Sequence, residues 1–200
     1  RELFGEALFG ASHPYGASFS EDKYDDLDRE QILKFYKERF HAGNCFVVCS
    51  GKVKESEKEQ IRSLAADIPL GPHELPVLPA PKGEKYIFGE QEGAVQSAIR
   101  IGRRLFTRSH PDFIPMQVVS TVLGGYFGSR LVRNLREERG YTYGIFSTRV
   151  NMETEGYMAI GTEVATEVTE DAVNQIFFEI ERLRTELVPS DELQMVKNIM

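Results

Sequence analysis

Arg136 and Tyr143 stand seven residues apart in "NLREERGYTYGIFSTRV", residues 134–150. The stretch is charged and helix-like up to Gly140, then aromatic and alternating like a strand. A guanidinium and a phenol are both hydrogen-bond donors. Together they suit a substrate carbonyl, or the oxyanion formed when that carbonyl is attacked. A chain reversal at Gly140 would bring both side chains to one rim. Spacing by itself favours a plainer arrangement, with a surface arginine at a helix end and a half-buried tyrosine opening a strand.

The other residue types that do chemistry are sparse. The four histidines are His13, His41, His73 and His110. None lies in a His-x-x-Glu-His or His-Glu-x-x-His arrangement, and no pair has the helical spacing that aims two imidazoles at one metal. They read as loop or surface histidines, and no metal site is expected in this chain. Cys45 and Cys49, in "NCFVVCSG", are too far apart on a strand to bridge. They read as buried reduced thiols, which leaves the compartment open. "GGYFGSR", 124–130, could form a backbone nest for an anion or a glycine-permitted turn between helices. "HPYG", 13–16, reads as a turn.

These residues must be positioned by elements that the patterning outlines. The chain has 200 residues, 41% apolar and 28% charged, with a net charge of −7. That balance suits a globular protein and disfavours a nucleic-acid surface, since no Lys/Arg stripe with interleaved aromatics occurs. No apolar run approaches the roughly 20 residues of a membrane span. "RELFGEALFG" reads as the end of a helix stopped by Gly10. Asp28 is placed to cap the next helix, with Gln31 completing a capping box and Ile32, Phe35, Tyr36 and Phe40 forming its apolar stripe. "CFVVCSG" reads as a short buried strand, and Lys54 to Asp67 as an amphipathic helix carrying Ile61, Leu64, Ala65 and Ile68. Residues 69–83, "PLGPHELPVLPAPKG", hold five of the nine prolines. Proline lacks a donor and fixes φ, so this stretch is the expected inter-domain linker.

Beyond the linker, "KYIFGE" and "AVQSAIRIG" read as strands, and "DFIPMQVVSTVLGG" and "GSRLVRNLREERG" as helices. Gly140 closes the second of these. "YTYGIFSTRV" and "EGYMAIGTEV" form a hairpin around "NMETEG". Thr169 is placed to cap a long helix with the stripe Val173, Ile176, Phe177, Ile180, Leu183 and Leu187, and Ser190 to cap a last one. The class is α+β, a mixed or antiparallel sheet with helices packed on one face. The chain starts and ends inside helical patterns, so it is expected to be a piece of a longer protein.

"LGGYFGSRLVRNLREERGYTYGIFS" resembles the C-terminal domain signature of the M16 zinc peptidases, the pitrilysin, insulinase and mitochondrial processing peptidase family. The matching residues are Ser129-Arg130-Leu131, Leu135-Arg136-Glu137, Arg139-Gly140 and Tyr143. "HPYG" together with "LDREQILKFYKERFHAGNCFVVCSGKV" resembles the second half of the preceding family domain. The resemblance implies a partial LuxS/MPP-like metallohydrolase fold. It implies residues 1–68 as the second half of one domain, 69–83 as the linker, and 84–200 as a non-metal C-terminal domain truncated at its end. It also implies that Arg136 and Tyr143 reach a peptide substrate near a zinc ion held elsewhere. The inverted zinc motif is missing from this chain. Zinc is therefore expected in the parent protein or on a partner subunit, with no cofactor here. The implied function is the substrate-binding, catalysis-assisting part of a zinc endopeptidase, inactive in isolation. The alternatives are a non-catalytic subunit or scaffold of the same descent, like the core proteins of respiratory complexes, and a free-standing peptide-binding or assembly domain. Possession of both Arg136 and Tyr143 argues against a scaffold, and the helical termini argue against a free-standing domain.

Overall fold

The computed structural model of the chain describes residues 2–18, 22–73 and 77–200. Its organising element is a three-stranded antiparallel sheet, β1 (Gln96–Leu105), β2 (Ile145–Asn151) and β3 (Gly156–Ala165), in the order β1-β3-β2. The β2–β3 hairpin turns at 152–155, where the Met152 N–H donates to the Glu155 carbonyl at 2.9 Å. Ile99 pairs with Thr162, which pairs with Ile145; Arg100 pairs with Gly161, which pairs with Phe146.

Alternation along each strand sends one set of side chains to the helices and the other to the opposite face. Ile99, Ile145, Ile160 and Val164 form the core with Leu123, Leu131, Leu135, Ala172 and Ile176. The helical partners are α5 (Phe113–Gly124), a turn of π-helix at Val132–Glu138, and α6 (Thr169–Thr185). Full burial of each branched residue contributes about 1.5–3 kcal/mol. The buried hydroxyls of Ser120 on α5 and Ser147 on β2 meet at 3.0 Å. Beside them, Gly124 lets the helix approach the strand: a Cβ there would stand 2.6 Å from the Ser147 nitrogen. The last helix, α7 (Ser190–Ile199), is bolted on by a bidentate ion pair. Arg130 Nε and Nη2 donate to the two Glu192 carboxylate oxygens at 3.1 and 2.8 Å, with both side chains nearly buried.

The opposite face of the sheet is only half covered. α1 (Glu2–Phe9) lies across one end of it, with Phe4 and Phe9 edge-on to Tyr157. Gly10, at φ +90°, ends that helix. "HPYG" is the turn that follows: its His13 stacks on Phe9, and its Tyr15 hydroxyl lies 3.3 Å from that of Thr154 in the hairpin. Among the described residues no helix covers the other end of this face.

Between α1 and β1 the chain is helical but hardly packed. α2 (Asp22–Asp25) is a single turn. α3 (Arg29–Arg39) opens with the expected capping box: the Gln31 N–H donates to Asp28 Oδ1 at 2.8 Å and the Asp28 N–H to Gln31 Oε1 at 3.1 Å. α4 (Glu55–Ala65) follows. Neither α3 nor α4 has a buried residue. No helix among the described residues is long and apolar enough to cross a membrane.

Several local expectations need correcting. Residues 45–50 and 85–90 are not strands. A strand needs a hydrogen-bonded neighbour, and among the described residues neither segment has one, so Phe46 and Phe88 stand out in solvent. Cys45 and Cys49 are exposed free thiols rather than buried ones. His13 and His41 lie in loops, as one of the two readings had it, but are buried. His41 packs beneath Gly71 because the start of the proline-rich stretch folds back, with the Ala42 N–H donating to the Pro69 carbonyl at 2.8 Å. β2 begins at Ile145 rather than at Tyr141. Thr169 does not cap α6; its hydroxyl donates to Ser97 instead. Ser190 is the first residue of α7 and makes no side-chain cap. On α6, Phe177 is half exposed and Leu187 lies beyond the helix in solvent.

Candidate functional site

The junction between the π-turn and β2 places both of the residues singled out by their chemistry. Leu131 and Leu135 are fully buried, and Asn134 points inward, donating to Glu179 Oε1 at 2.7 Å. The wider spiral shows in its exit bonds. The Arg139 N–H reaches the Asn134 carbonyl, and the Tyr141 N–H reaches back to that of Leu135 at 2.9 Å. Gly140 sits at φ +65° with nothing within 4 Å of a would-be Cβ. Glycine is needed there for its backbone conformation, not for space. π-helical turns often occur at functional sites.

Arg136 projects from the outer side of this turn. Its guanidinium lies 4.7 Å from the centroid of the Phe127 ring, which is itself largely exposed. A cation on an exposed ring is worth about 0.5–1 kcal/mol. Among the described residues no carboxylate pairs with it. "GGYFGSR" supplies that ring and is a turn between helices. None of its glycines has positive φ, so the alternating backbone of an anion nest does not form.

Tyr143 stands on the six-residue connection from the π-turn to β2, with 95% of its surface exposed. It is one of the residues lining a cleft of about 440 Å³ on the open end of the second sheet face. The Phe146 ring lies over Gly161 on the floor of this cleft. Arg100 and Glu163 form one wall, 3.5 Å apart. Arg100 is fixed further by donating to the Ile99 and Thr162 carbonyls at 2.8 and 3.1 Å. Arg136 does not line this cleft. The chain reversal thus makes both residues accessible, with Tyr143 at the cleft lip and Arg136 seated on Phe127.

The connection carrying Tyr143 is held from two sides. The Tyr141 hydroxyl donates to Asp171 Oδ2 on α6 at 2.8 Å, and Gln175 donates to Oδ1 at 3.3 Å. The hydrogen bond to Asp171 raises the Tyr141 pKa. The same bond, with that from Gln175, lowers the Asp171 pKa. On the sheet side, the Gly144 N–H donates to the Thr142 hydroxyl at 3.1 Å. The buried Thr162 hydroxyl lies 2.9 Å from that of Thr142 and 3.1 Å from the Gly144 carbonyl.

Zinc does not fit the residues present. Among the described residues no group of three or more His, Cys, Asp or Glu side chains could hold a metal ion. The cleft's own carboxylate, Glu163, faces the Arg100 cation, which opposes binding of another cation.

Sequence reasoning singled out Tyr143 for its chemistry but gave no sign of the cleft beneath it. Arg100 between Ile99 and Ile101 signals a strand with a polar second face. The register that sets Arg100, Gly161 and Phe146 side by side is not readable from the pattern.

The antiparallel sheet and the helices packed on its core face define an α+β architecture. The chain belongs to the M16 peptidase family: residues 26–200 match the model described as the peptidase M16 inactive domain. The fold matches the crystal structure of a peptidase M16 inactive domain from Pseudomonas fluorescens with a TM-score of 0.88 at 24% identity, covering 98% of this chain and 48% of that one. It matches a protease from Helicobacter pylori with a TM-score of 0.82 at 16% identity, over 97% of this chain and 49% of that one. A chain of complex III from Candida albicans gives 0.74 at 12% identity, over 98% and 49%. A curated relative, an uncharacterized zinc protease of Mycobacterium leprae, is 26% identical over 154 residues, 73% of this chain and 34% of that protein. The chain thus spans about a third of that relative and about half of each of these structures.

Proposed function

We propose that this chain is the substrate-binding, catalysis-assisting part of an M16 zinc peptidase that hydrolyses peptides. The zinc-bearing domain is supplied in cis or by a partner subunit. The observation that carries this reading is the Tyr143 phenol, almost wholly exposed at a cleft lip although its backbone is pinned. An aromatic side chain with no packing role on a held connection is placed to meet a ligand. Tyr143 donates its hydroxyl proton to a substrate carbonyl, and more strongly to the oxyanion formed on attack. Arg136, a charge with no carboxylate partner among the described residues, steadies neighbouring carbonyls of the peptide. This chain contributes binding, orientation and charge stabilisation.

The domain division at the proline-rich stretch, 69–83, is part of the same proposal. Residues up to 68 form the second half of an M16-like domain whose first half covers the apolar stripe of α3. Ile32, Phe35, Tyr36 and Phe40 on that stripe are 56–60% exposed, too apolar a row to be left in water.

A second reading, a non-catalytic subunit, is favoured by the fold likeness to a chain of complex III. Steady-state kinetics on the complete protein decides between the two. For the peptidase reading, Tyr143→Phe lowers kcat far more than it raises KM, because the bond strengthens in the transition state. Arg136→Ala alters both parameters. A complete protein that cleaves no peptide in any assay supports the scaffold reading.

A further inference from the structure

From the geometry around Tyr143 we infer that Thr162 is a positioning residue for the active site, the buried anchor that sets where the Tyr143 phenol stands. The inference rests on the role proposed for Tyr143 above. With 95% of its surface exposed, Tyr143 has little packing to locate its ring, so its backbone must do so. That backbone lies between the end of the π-turn and the first residue of β2 and is in neither element. Its near side is tied through Tyr141 to Asp171. Its far side is tied through Thr142 and Gly144, and both of these bonds converge on one hydroxyl, that of Thr162.

Thr162 is only 3% exposed and sits on β3, the central and best-packed strand. Its rung neighbours Ile99 and Ile145 are buried hydrophobics, so an isoleucine or valine would suit packing at least as well. The hydroxyl instead serves a polar cluster formed with Thr142 and Gly144, the two residues that flank Tyr143. The Thr142 hydroxyl in turn donates to the Gly144 carbonyl at 2.9 Å, closing the connection into a tight turn. The central strand thereby fixes the part of the site that lies in neither helix nor sheet. Misplacing a reacting group by about 1 Å can cost on the order of 10²-fold in rate, so an anchor of this kind bears on catalysis without touching substrate.

The test uses the complete peptidase and an internally quenched peptide mixture of random sequence. Thr162→Val keeps the shape and removes the hydroxyl. Its kcat is expected to fall about tenfold with KM within about twofold, a loss confined to the transition state. Thr162→Ser is expected to restore most of the rate. In the Tyr143→Phe background, Thr162→Val is expected to cost little more, because the group it positions is already gone. Hydrogen exchange of the segment 141–145 in Thr162→Val is expected to quicken while the core strands keep their protection. The inference is overturned if Tyr143→Phe slows the enzyme but Thr162→Val leaves kcat and the exchange of 141–145 unchanged. It is also overturned if the two losses simply multiply. A Tyr143→Phe enzyme as fast as the parent overturns the proposed role of Tyr143 itself, and quickened exchange in Thr162→Val would then mark a structural anchor only.

Discussion

Residues 96–199 and residues 22–95 are written in the same alphabet of amphipathic helices and apolar runs, yet they fold to different degrees. In the first region Leu131, Leu135, Val164 and Ile176 are fully buried between helices and sheet. In the second, Ile32 and Phe35 on α3, Phe40 at its C-terminal cap, and Phe46, Val48 and Phe88 outside helix and strand all face solvent. A helical stripe or a short apolar run states what it would bury against. It cannot supply the surface. The C-terminal region has that surface because a hairpin and a third strand join into one sheet, whereas 45–50 and 85–90 have no strand to pair with among the described residues.

The widest difference is expected from matched truncations. Leu135→Ala should destabilise the protein by about 2–5 kcal/mol, since it opens a cavity in a closed core. In the chain of residues 1–200 by itself, where nothing covers the α3 stripe, Phe35→Ala should stay within about 0.5 kcal/mol, as exposed substitutions do. Urea unfolding of both variants checks this, and a Phe35→Ala loss equal to that of Leu135→Ala would abolish the contrast.

Limited proteolysis sharpens it at the level of segments. The ends of the proline-rich stretch are held, by Pro69 on Ala42 and by the Lys82 N–H on the Phe9 carbonyl at 2.9 Å. The first cuts should therefore fall within 77–81 or 45–50, where the backbone is in neither helix nor sheet. Mass spectrometry of early fragments should find 96–199 intact. Early cuts inside that region would contradict the account.

How much of this was legible in the sequence follows the same divide. The helices of the C-terminal region could be read because their stripes met a core; Ile176 and Ile180 are examples. The capping box at Asp28 and Gln31 is a local bond between near neighbours, and it formed as expected. Arg136 and Tyr143 were visible by residue type. The strand readings of 45–50 and 85–90 failed because strand formation depends on a distant partner. The cleft stayed hidden because it is made by cross-strand register, which joins Arg100 to Phe146 through Gly161. The anchoring of Tyr143 by Thr162 and Asp171 depends on contacts 20 and 30 residues apart in sequence.

The smallest effect expected is a pH dependence confined to the packed region. The bond from Tyr141 lowers the Asp171 pKa and raises that of Tyr141. A carboxylate whose folded pKa is depressed adds stability above its unfolded value, about 3.9, and loses it as pH falls through the folded value. A phenol whose folded pKa is raised adds stability below its unfolded value, about 10, and loses it as pH rises through the folded one. The Tyr141–Asp171 pair should therefore help most between those limits. Thermal unfolding of Asp171→Asn should show a slightly lower Tm than the parent at neutral pH and a gap that closes in acid. A gap that instead widened in acid would show that the carboxylate is not held in its charged form by this bond.

The central claim is that the exposed Tyr143 phenol at the cleft lip acts on the transition state of peptide hydrolysis. The most direct measurement is kcat of Tyr143→Phe in the complete protein, with Tm recorded in parallel. Removing one oxyanion donor of this kind costs on the order of 10²–10³ in rate. The account expects a loss of that size with Tm unchanged, since the ring has little packing. A variant whose kcat stayed within about twofold of the parent, at equal Tm, would contradict it.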